Sequence, residues 1–252
     1  RGWGRADETW SFMRVLESLG GPGWFRLGDG DLAVHVERTH RLRAGETLTA
    51  VTARLARGLG IGNHVLPMAD QSIATRVLTT DGELDFQDYF VARRAEPRVT
   101  GIEFSGHESA RLTQAVRSAL ASPTLQAIVL CPSNPWLSVD PILSVPGMRF
   151  AVRSANVPVV AVCPLIGGRS VKGPTAKIMS ELGIEANPRS ISMHYAGVID
   201  GLVIDPADAS WANLCPVPTH VTPTLMRSLE DRRQLAAETV AFAANLRARR
   251  SK

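Results

Sequence analysis

Two short apolar runs constrain this chain most. Leu125-Gln126-Ala127-Ile128-Val129-Leu130 runs into Cys131-Pro132, and Val157-Pro158-Val159-Val160-Ala161-Val162 runs into Cys163-Pro164. Runs of this length, apolar on consecutive residues and closing on β-formers, read as strands buried on both faces, as parallel sheets require. The prolines end the strands and stiffen the turns after them. Ser133 and Asn134 then stand at one carboxyl end and Gly167-Gly168 follow the other. Open α/β sheets bind ligands at such ends, so the two edges side by side make one polar, glycine-lined crevice.

The rest of the chain fits that plan. From residue 109 helix and strand alternate: a helix at about 109–120, the strand 125–131, a short helix at 146–154, the strand 157–163, a helix at 172–182, strands at 199–204 and 217–221, and a final helix from about 225 to 247. Alternation of this kind implies parallel strands joined by right-handed crossovers. The expected class is α/β, a Rossmann-like, mostly parallel sheet with flanking helices. Upstream, helices are expected at 7–19 with Asp7 as cap, from Asp31 through Thr39 with Asp31 as cap, and at 48–59 with Thr47 as cap. Strands are expected at 64–68, 75–79, 83–91 and 99–104, with Asp81-Gly82 as a hairpin turn and Leu84, Phe86, Asp88 and Phe90 on one face. Residues 64–106 thus read as an antiparallel insertion on the α/β body.

Composition narrows the class. At 252 residues with 44% hydrophobic and 21% charged residues, the chain suits a globular domain. No run approaches the roughly 18 apolar residues of a membrane span, and no signal peptide is visible. The net charge of +4 owes much to Arg247, Arg249, Arg250 and Lys252, where basic residues suit a helix C-terminus. No basic stripe interleaves with aromatics, so no nucleic-acid site is expected. Three cysteines without CxxC spacing point to free thiols in a reducing cytoplasm.

Several polar groups suggest chemistry. Asp29 and Asp31 flank Gly30, and paired carboxylates suit a hard cation such as magnesium; a helix cap and a turn former are the plain alternative. His35 lies one turn on and suits a phosphate, or is an ordinary helical histidine. Ser133 has no base beside it and no GxSxG elbow, so Ser133-Asn134-Pro135 suits ligand positioning, or is a proline turn. Gly167–Lys177 combines glycines, which let amides approach an anion, with Lys172 and Lys177 as counter-charges. It is not a P-loop, and a loop with solvated lysines is the alternative. His194-Tyr195 either packs on the sheet or touches a ligand. These residues imply a phosphate-bearing ligand and a metal, and name no reaction.

The segments GWG (2–4), DETW (7–10), WFRLGDGDLAVH (24–35), VLPMAD (65–70), DFQDYF (85–90), PSNPWLSVDPIL (132–143), KGPTAKIM (172–179) and HYAGVIDGLVID (194–205) occur in order. Together they resemble the 2-phospho-L-lactate transferase family of coenzyme F-420 biosynthesis. The resemblance implies transfer of a phospho-three-carbon acid, 2-phospho-L-lactate or phosphoenolpyruvate, from a guanylyl diphosphate-type donor to the deazaflavin Fo. GMP leaves and magnesium assists. It also implies that Arg26 touches the deazaflavin and that Asp29, Asp31 and His35 are catalytic residues at donor and metal. Ser133, Asn134 and Pro135 lie beside the nucleotide, and Gly168, Lys172, Gly173 and Lys177 hold the donor. Residues 24–106 become an inserted acceptor-binding subdomain of a single 1–252 domain, in a homodimer.

The chain departs from the family pattern at Gly30, where a basic residue is usual, and at Asp140, where glycine is preferred. It is also expected to start after the family's first strands and a further acidic segment, leaving a sheet edge open and the fragment poorly active. The alternative function is a non-catalytic nucleotide-sugar-binding regulator with the same α/β body, which has no need of RLGD…FQDYF.

Overall fold

The computed structural model describes residues 7–250; the GWG segment lies outside them. In chain order the elements are α1 (Ser11–Ser18), α2 (Asp29–Arg43), α3 (Leu48–Gly58), β1 (Ala74–Thr79), β2 (Gly82–Asp85), β3 (Val99–Ser105), α4 (Gln114–Leu120), β4 (Ile128–Leu130), α5 (Asp140–Leu143), α6 (Met148–Ser154), β5 (Val159–Val162), β6 (Leu165–Ile166), β7 (Arg169–Ser170), α7 (Thr175–Glu181), α8 (Pro188–His194), β8 (Gly201–Ile204), β9 (Thr219–Val221) and α9 (Leu229–Arg250). Two π-helical turns, Asp88–Ala92 and Pro135–Val139, and a 3-10 segment, Pro206–Leu214, complete them.

The body is the expected α/β arrangement. Its sheet has the order β4-β5-β8-β9, and all three pairings are parallel. Every residue of β5 and β8 is buried, which is why these runs are apolar throughout rather than alternating. Alternate side chains still part company. Val160, Val162 and Val203 pack under α9 against Leu235, Phe242, Ala243 and Leu246. Val159, Ala161, Leu202 and Ile204 face Met148 and Val152 of α6, Ile178 and Met179 of α7, and Ile191 of α8. At Gly201 the approach of α9 leaves no room: an added Cβ would lie 2.7 Å from Phe242 Cε1 and 2.8 Å from Leu246 Cδ1.

The second sheet is antiparallel, in the order β2-β1-β3. Its hairpin turns at Asp81-Gly82, with Gly82 at φ 113° and the Thr79 hydroxyl donating to the Gly82 carbonyl at 2.7 Å. Val77, Tyr89 and Val99 are fully buried and share one core cluster with α7. The Val99 amide donates to Glu181 of α7 at 3.0 Å, and Lys177 bridges Glu181 at 2.6 Å and the Pro97 carbonyl at 3.0 Å. The antiparallel sheet is therefore riveted to the body through α7.

Five local expectations are corrected. The run 125–130, expected as a strand buried on both faces, pairs only over Ile128–Leu130 and forms an edge of the sheet with Val129 exposed. The strand expected over 83–91 stops at Asp85; Asp88–Ala92 is a π-helical turn. The apolar residues Phe86, Tyr89 and Phe90 fall at i, i+3 and i+4, so a helical turn sends Tyr89 into the core and stacks Phe86 on Phe90, ring centroids 5.5 Å apart. No ladder forms over 64–68: Pro67 has no donor, its carbonyl accepts from Thr113, and pairing is reduced to the bridge Ala69–Leu112.

The other two corrections concern caps. Asp7 has a positive φ of 58° and caps nothing; α1 starts at Ser11, and its Ser11 and Phe12 amides donate to Asp29 at 3.1 and 3.0 Å. Asp31 is likewise inside α2, whose N-cap is Gly28 and whose Gly30 amide donates to Glu8 at 2.8 Å. The two helix starts thus cap each other through Asp29 and Glu8. Thr47 does cap α3, accepting from the Ala50 amide.

Gly201→Ala should lower unfolding stability by about 1–3 kcal/mol, the usual cost of overpacking a filled core. Chemical denaturation checks it, and an unchanged midpoint would mean that α9 is not seated this tightly on β8.

Candidate functional site

A cleft of about 440 Å³ opens at the carboxyl ends of β4 and β5. One wall is Pro132-Ser133-Asn134 with Leu137 and Ser138; the floor is Cys163-Pro164 and Ile166. A second wall is Val171–Thr175, Phe86 and Phe90 lean in from the antiparallel sheet, and Thr224-Leu225-Met226 and Arg232 close the remaining side.

Local chemistry explains each wall. Asn134 caps the π-helical turn: its Oδ1 accepts from the Trp136 and Leu137 amides at 3.0 and 3.1 Å, and Pro135, which has no amide hydrogen to satisfy, comes next in the chain. The cap fixes the side chain, and the Asn134 Nδ2 is buried with no partner. Behind this wall Asp140 and His194 pair at 3.0 Å, with the imidazole 4.7 Å from the Trp136 ring. The departure at Asp140 therefore has a local function: it ties the turn to α8. Tyr195 is buried in the core, so His194-Tyr195 packs rather than reaching the cleft.

The glycine wall is a tight hairpin. Gly167 and Gly168, at φ 56° and 70°, turn β6 into β7. The Gly167 amide donates at 2.8 Å to Asp208, a buried carboxylate. The Ala176 amide donates to Ser170 Oγ at 2.7 Å, so part of the start of α7 is already satisfied. Gly173, at φ 70°, lies under Phe90: a Cβ there would sit 3.7 Å from its ring. The Thr224 wall hangs from the second buried carboxylate, Asp205, whose Oδ2 accepts the Thr224 amide at 2.9 Å and its hydroxyl at 3.2 Å.

The structure thus brings Ser133, Asn134, Lys172 and Gly173 to one cleft. Pro135 is buried behind it, and Gly168 lies in the hairpin turn. Lys177 is committed to Glu181 and Pro97. Arg26 pairs with Glu17 at 3.5 Å and lies over the Trp10 ring. Asp29 accepts from the Thr9 hydroxyl at 2.6 Å as well as from two amides, and these bonds, the hydroxyl's first, hold its carboxyl below the usual range. Asp31 and His35 border a separate cavity of about 490 Å³ with Val34, Leu59 and Ile61. Among the described residues no three side chains of metal-binding type converge, and Asp29 spends both oxygens on caps.

Sequence reasoning missed Asp205, Asp208, Thr224 and Arg232. The two aspartates carried a usable signal, since they directly follow a buried strand at its carboxyl end. Arg232 carried none, because only the docking of α9 brings it to the cleft.

Burial also settles the character of the cysteine in the floor. Cys163 is 1% exposed, and desolvation pushes its thiol up to about 12, against a small opposing hydrogen bond from the Leu165 backbone. Cys131 is exposed. Iodoacetamide at neutral pH should therefore label Cys131 in the folded protein and Cys163 only after denaturation. Peptide mapping reads this out, and labelling of native Cys163 would show a reactive floor.

Comparison with known proteins agrees with this architecture. The family model for 2-phospho-L-lactate transferase CofD matches residues 10–218. A phosphoenolpyruvate transferase of Streptomyces griseus is 37% identical over 257 residues, covering 98% of this chain and 80% of that protein. A 2-phospho-L-lactate transferase of Methanococcoides burtonii is 36% identical over 247 residues, covering 97% and 79%. A crystal structure of a UPF0052 family protein from Bacillus halodurans superposes with a TM-score of 0.60 at 16% identity, covering 88% of this chain and 77% of that one; this likeness concerns the fold alone. With its cleft at the strand ends and a family match running through both of its main walls, the chain belongs to the 2-phospho-L-lactate transferase CofD family.

Proposed function

We propose that the protein transfers a phospho-three-carbon acid from a guanylyl diphosphate-type donor to the deazaflavin Fo, releasing GMP and forming coenzyme F-420-0 or its dehydro form. The observation that carries this reading is the convergence of Ser133-Asn134 and Lys172-Gly173 on one cleft in a chain of this family. The Asn134 side chain is fixed in the cleft wall by its cap, and Ser133 beside it suits contact with the nucleotide. Lys172, at the glycine turn, suits its phosphates. The stacked pair Phe86–Phe90 offers a flat apolar side to a ring.

The reaction is an in-line displacement. A terminal ribityl hydroxyl of Fo attacks the donor phosphorus next to the three-carbon unit; a phosphorus–oxygen bond forms there, the bond to the GMP phosphate breaks, and the hydroxyl proton is released. The cleft lining contains no carboxylate and no imidazole among the described residues. Its contribution is therefore placement of the donor and neutralisation of charge on the leaving phosphate, which supply most of the rate in such transfers. Arg26 keeps the acceptor role in this proposal, while Asp31 and His35, expected at donor and metal, border a separate cavity with Leu59 and Ile61. Magnesium enters this proposal with the donor, offsetting the charge of its phosphates, and no step is derived through it. A cytoplasmic homodimer completes the reading; no helix among the described residues is long and apolar enough to cross a membrane.

Incubation of the protein with Fo, magnesium and either the phosphoenolpyruvyl or the 2-phospho-L-lactyl guanylyl donor should yield GMP and a phosphodiester-linked deazaflavin. Both donors are assayed, since the relatives named for the two three-carbon acids are 37% and 36% identical. Absence of GMP with both donors defeats the proposal.

The two aspartates of the LGDGD segment should separate in the same assay. Asp31→Asn should reduce turnover at least about tenfold, as loss of a group acting on the reaction does, with little change in melting. Asp29→Asn should lower the melting temperature first, because it weakens the caps. Turnover by Asp31→Asn equal to that of the parent chain would remove Asp31 from the chemistry.

A further inference from the structure

Several ionic side chains near the cleft are paired. In the first turns of α9, Asp231 accepts the Arg227 and Ser228 amides at 2.8 Å each, and Arg233 pairs with Glu230 at 3.8 Å. Lys177 pairs with Glu181. Two exposed cations border the cleft: Lys172 on the glycine wall and Arg232 on the α9 side. Neither has an ion pair or a side-chain hydrogen bond among the described residues.

We propose that Arg232 is an oxyanion-binding residue of the donor cleft, gripping the diphosphate of the nucleotide donor from the α9 side while Lys172 reaches it from the glycine turn as a point charge. This rests on the nucleotide-donor reading above. A guanidinium presents a planar fork that fits phosphate with two parallel hydrogen bonds, which an ammonium cannot do. The cleft supplies no carboxylate to satisfy it. Arg232 lies beyond residues 10–218, the part matched by the family model, and its placement depends on the seating of α9 over β8. The wall beside it is anchored at Asp205 through Thr224, and Arg232 itself sits in the first turn of α9, a helix packed on β5 and β8. With Lys177 committed elsewhere, Arg232 supplies the second positive charge that a diphosphate needs.

Isothermal titration of the full chain with GDP and with guanosine tests this. R232Q should raise the dissociation constant for GDP roughly tenfold or more, the usual cost of a charge-assisted hydrogen bond, and leave guanosine binding unchanged. R232K keeps the charge, loses the fork and should fall between the two. R233Q, one residue on and paired on the surface, should bind GDP like the parent chain. Melting curves identify any variant that has lost its fold; R232K then decides alone. GDP binding that survives R232Q, or R232K should R232Q not fold, overturns the assignment of Arg232 and leaves the nucleotide reading standing. A parent chain that binds neither GDP nor guanosine overturns both.

Discussion

The parallel pairing of β4, β5 and β8 is the constraint on which the other features rest. β5 and β8, covered on both faces, have no side on which to carry polar groups, and β4 lies beside them at the sheet edge. Polar side chains are therefore displaced past the carboxyl ends, where the main walls of the cleft begin. Asn134 follows β4, the glycine hairpin follows β5, and Asp205 with Asp208 follows β8. The two aspartates show how a buried sheet controls a surface. Each is nearly inaccessible, yet one fixes the Gly167 turn and the other the Thr224 segment. Burying a carboxylate is tolerable because it accepts backbone donors, and those donors are the walls themselves.

The same physics decides how much of the fold and site is legible in the sequence. The buried strands are legible because a two-sided burial leaves an uninterrupted apolar run. Their carboxyl-end turns are legible with them, and Ser133, Asn134, Lys172 and Gly173 do meet. DFQDYF misleads because its apolar residues satisfy both an alternating and a helical spacing over so short a stretch; the demand for Tyr89 in the core decides it. The caps of α1 and α2 escape a local reading because their partners are about twenty residues away in the chain, Asp29 for Ser11 and Glu8 for Gly30. A local rule finds a capping residue beside its helix, and these two helices exchange theirs.

That exchange changes the meaning of the LGDGD segment. A carboxylate that accepts three hydrogen bonds is well satisfied, and the lowered pKa of Asp29 reflects it. It fixes α1 to α2, a service the fold needs because α2 buries none of its residues and holds its place through its ends and neighbours. Asp31, two residues on, has no comparable structural employment and instead borders an open cavity with His35. Paired carboxylates in sequence are thus divided in space between architecture and availability.

The same division runs through the cleft. Three strong donors around it are matched: Lys177 by Glu181, the Gly167 amide by Asp208, the Ala176 amide by Ser170. Asn134 Nδ2 is left buried without an acceptor, at a cost of about 1–3 kcal/mol for such a group. Lys172 and Arg232 border the same space, also unmatched. Two exposed cations on one cavity, with a carboxamide nitrogen left over inside its wall, make the cleft electrostatically incomplete in a specific sense. What it lacks is acceptors and negative charge, and a nucleotide diphosphate supplies both.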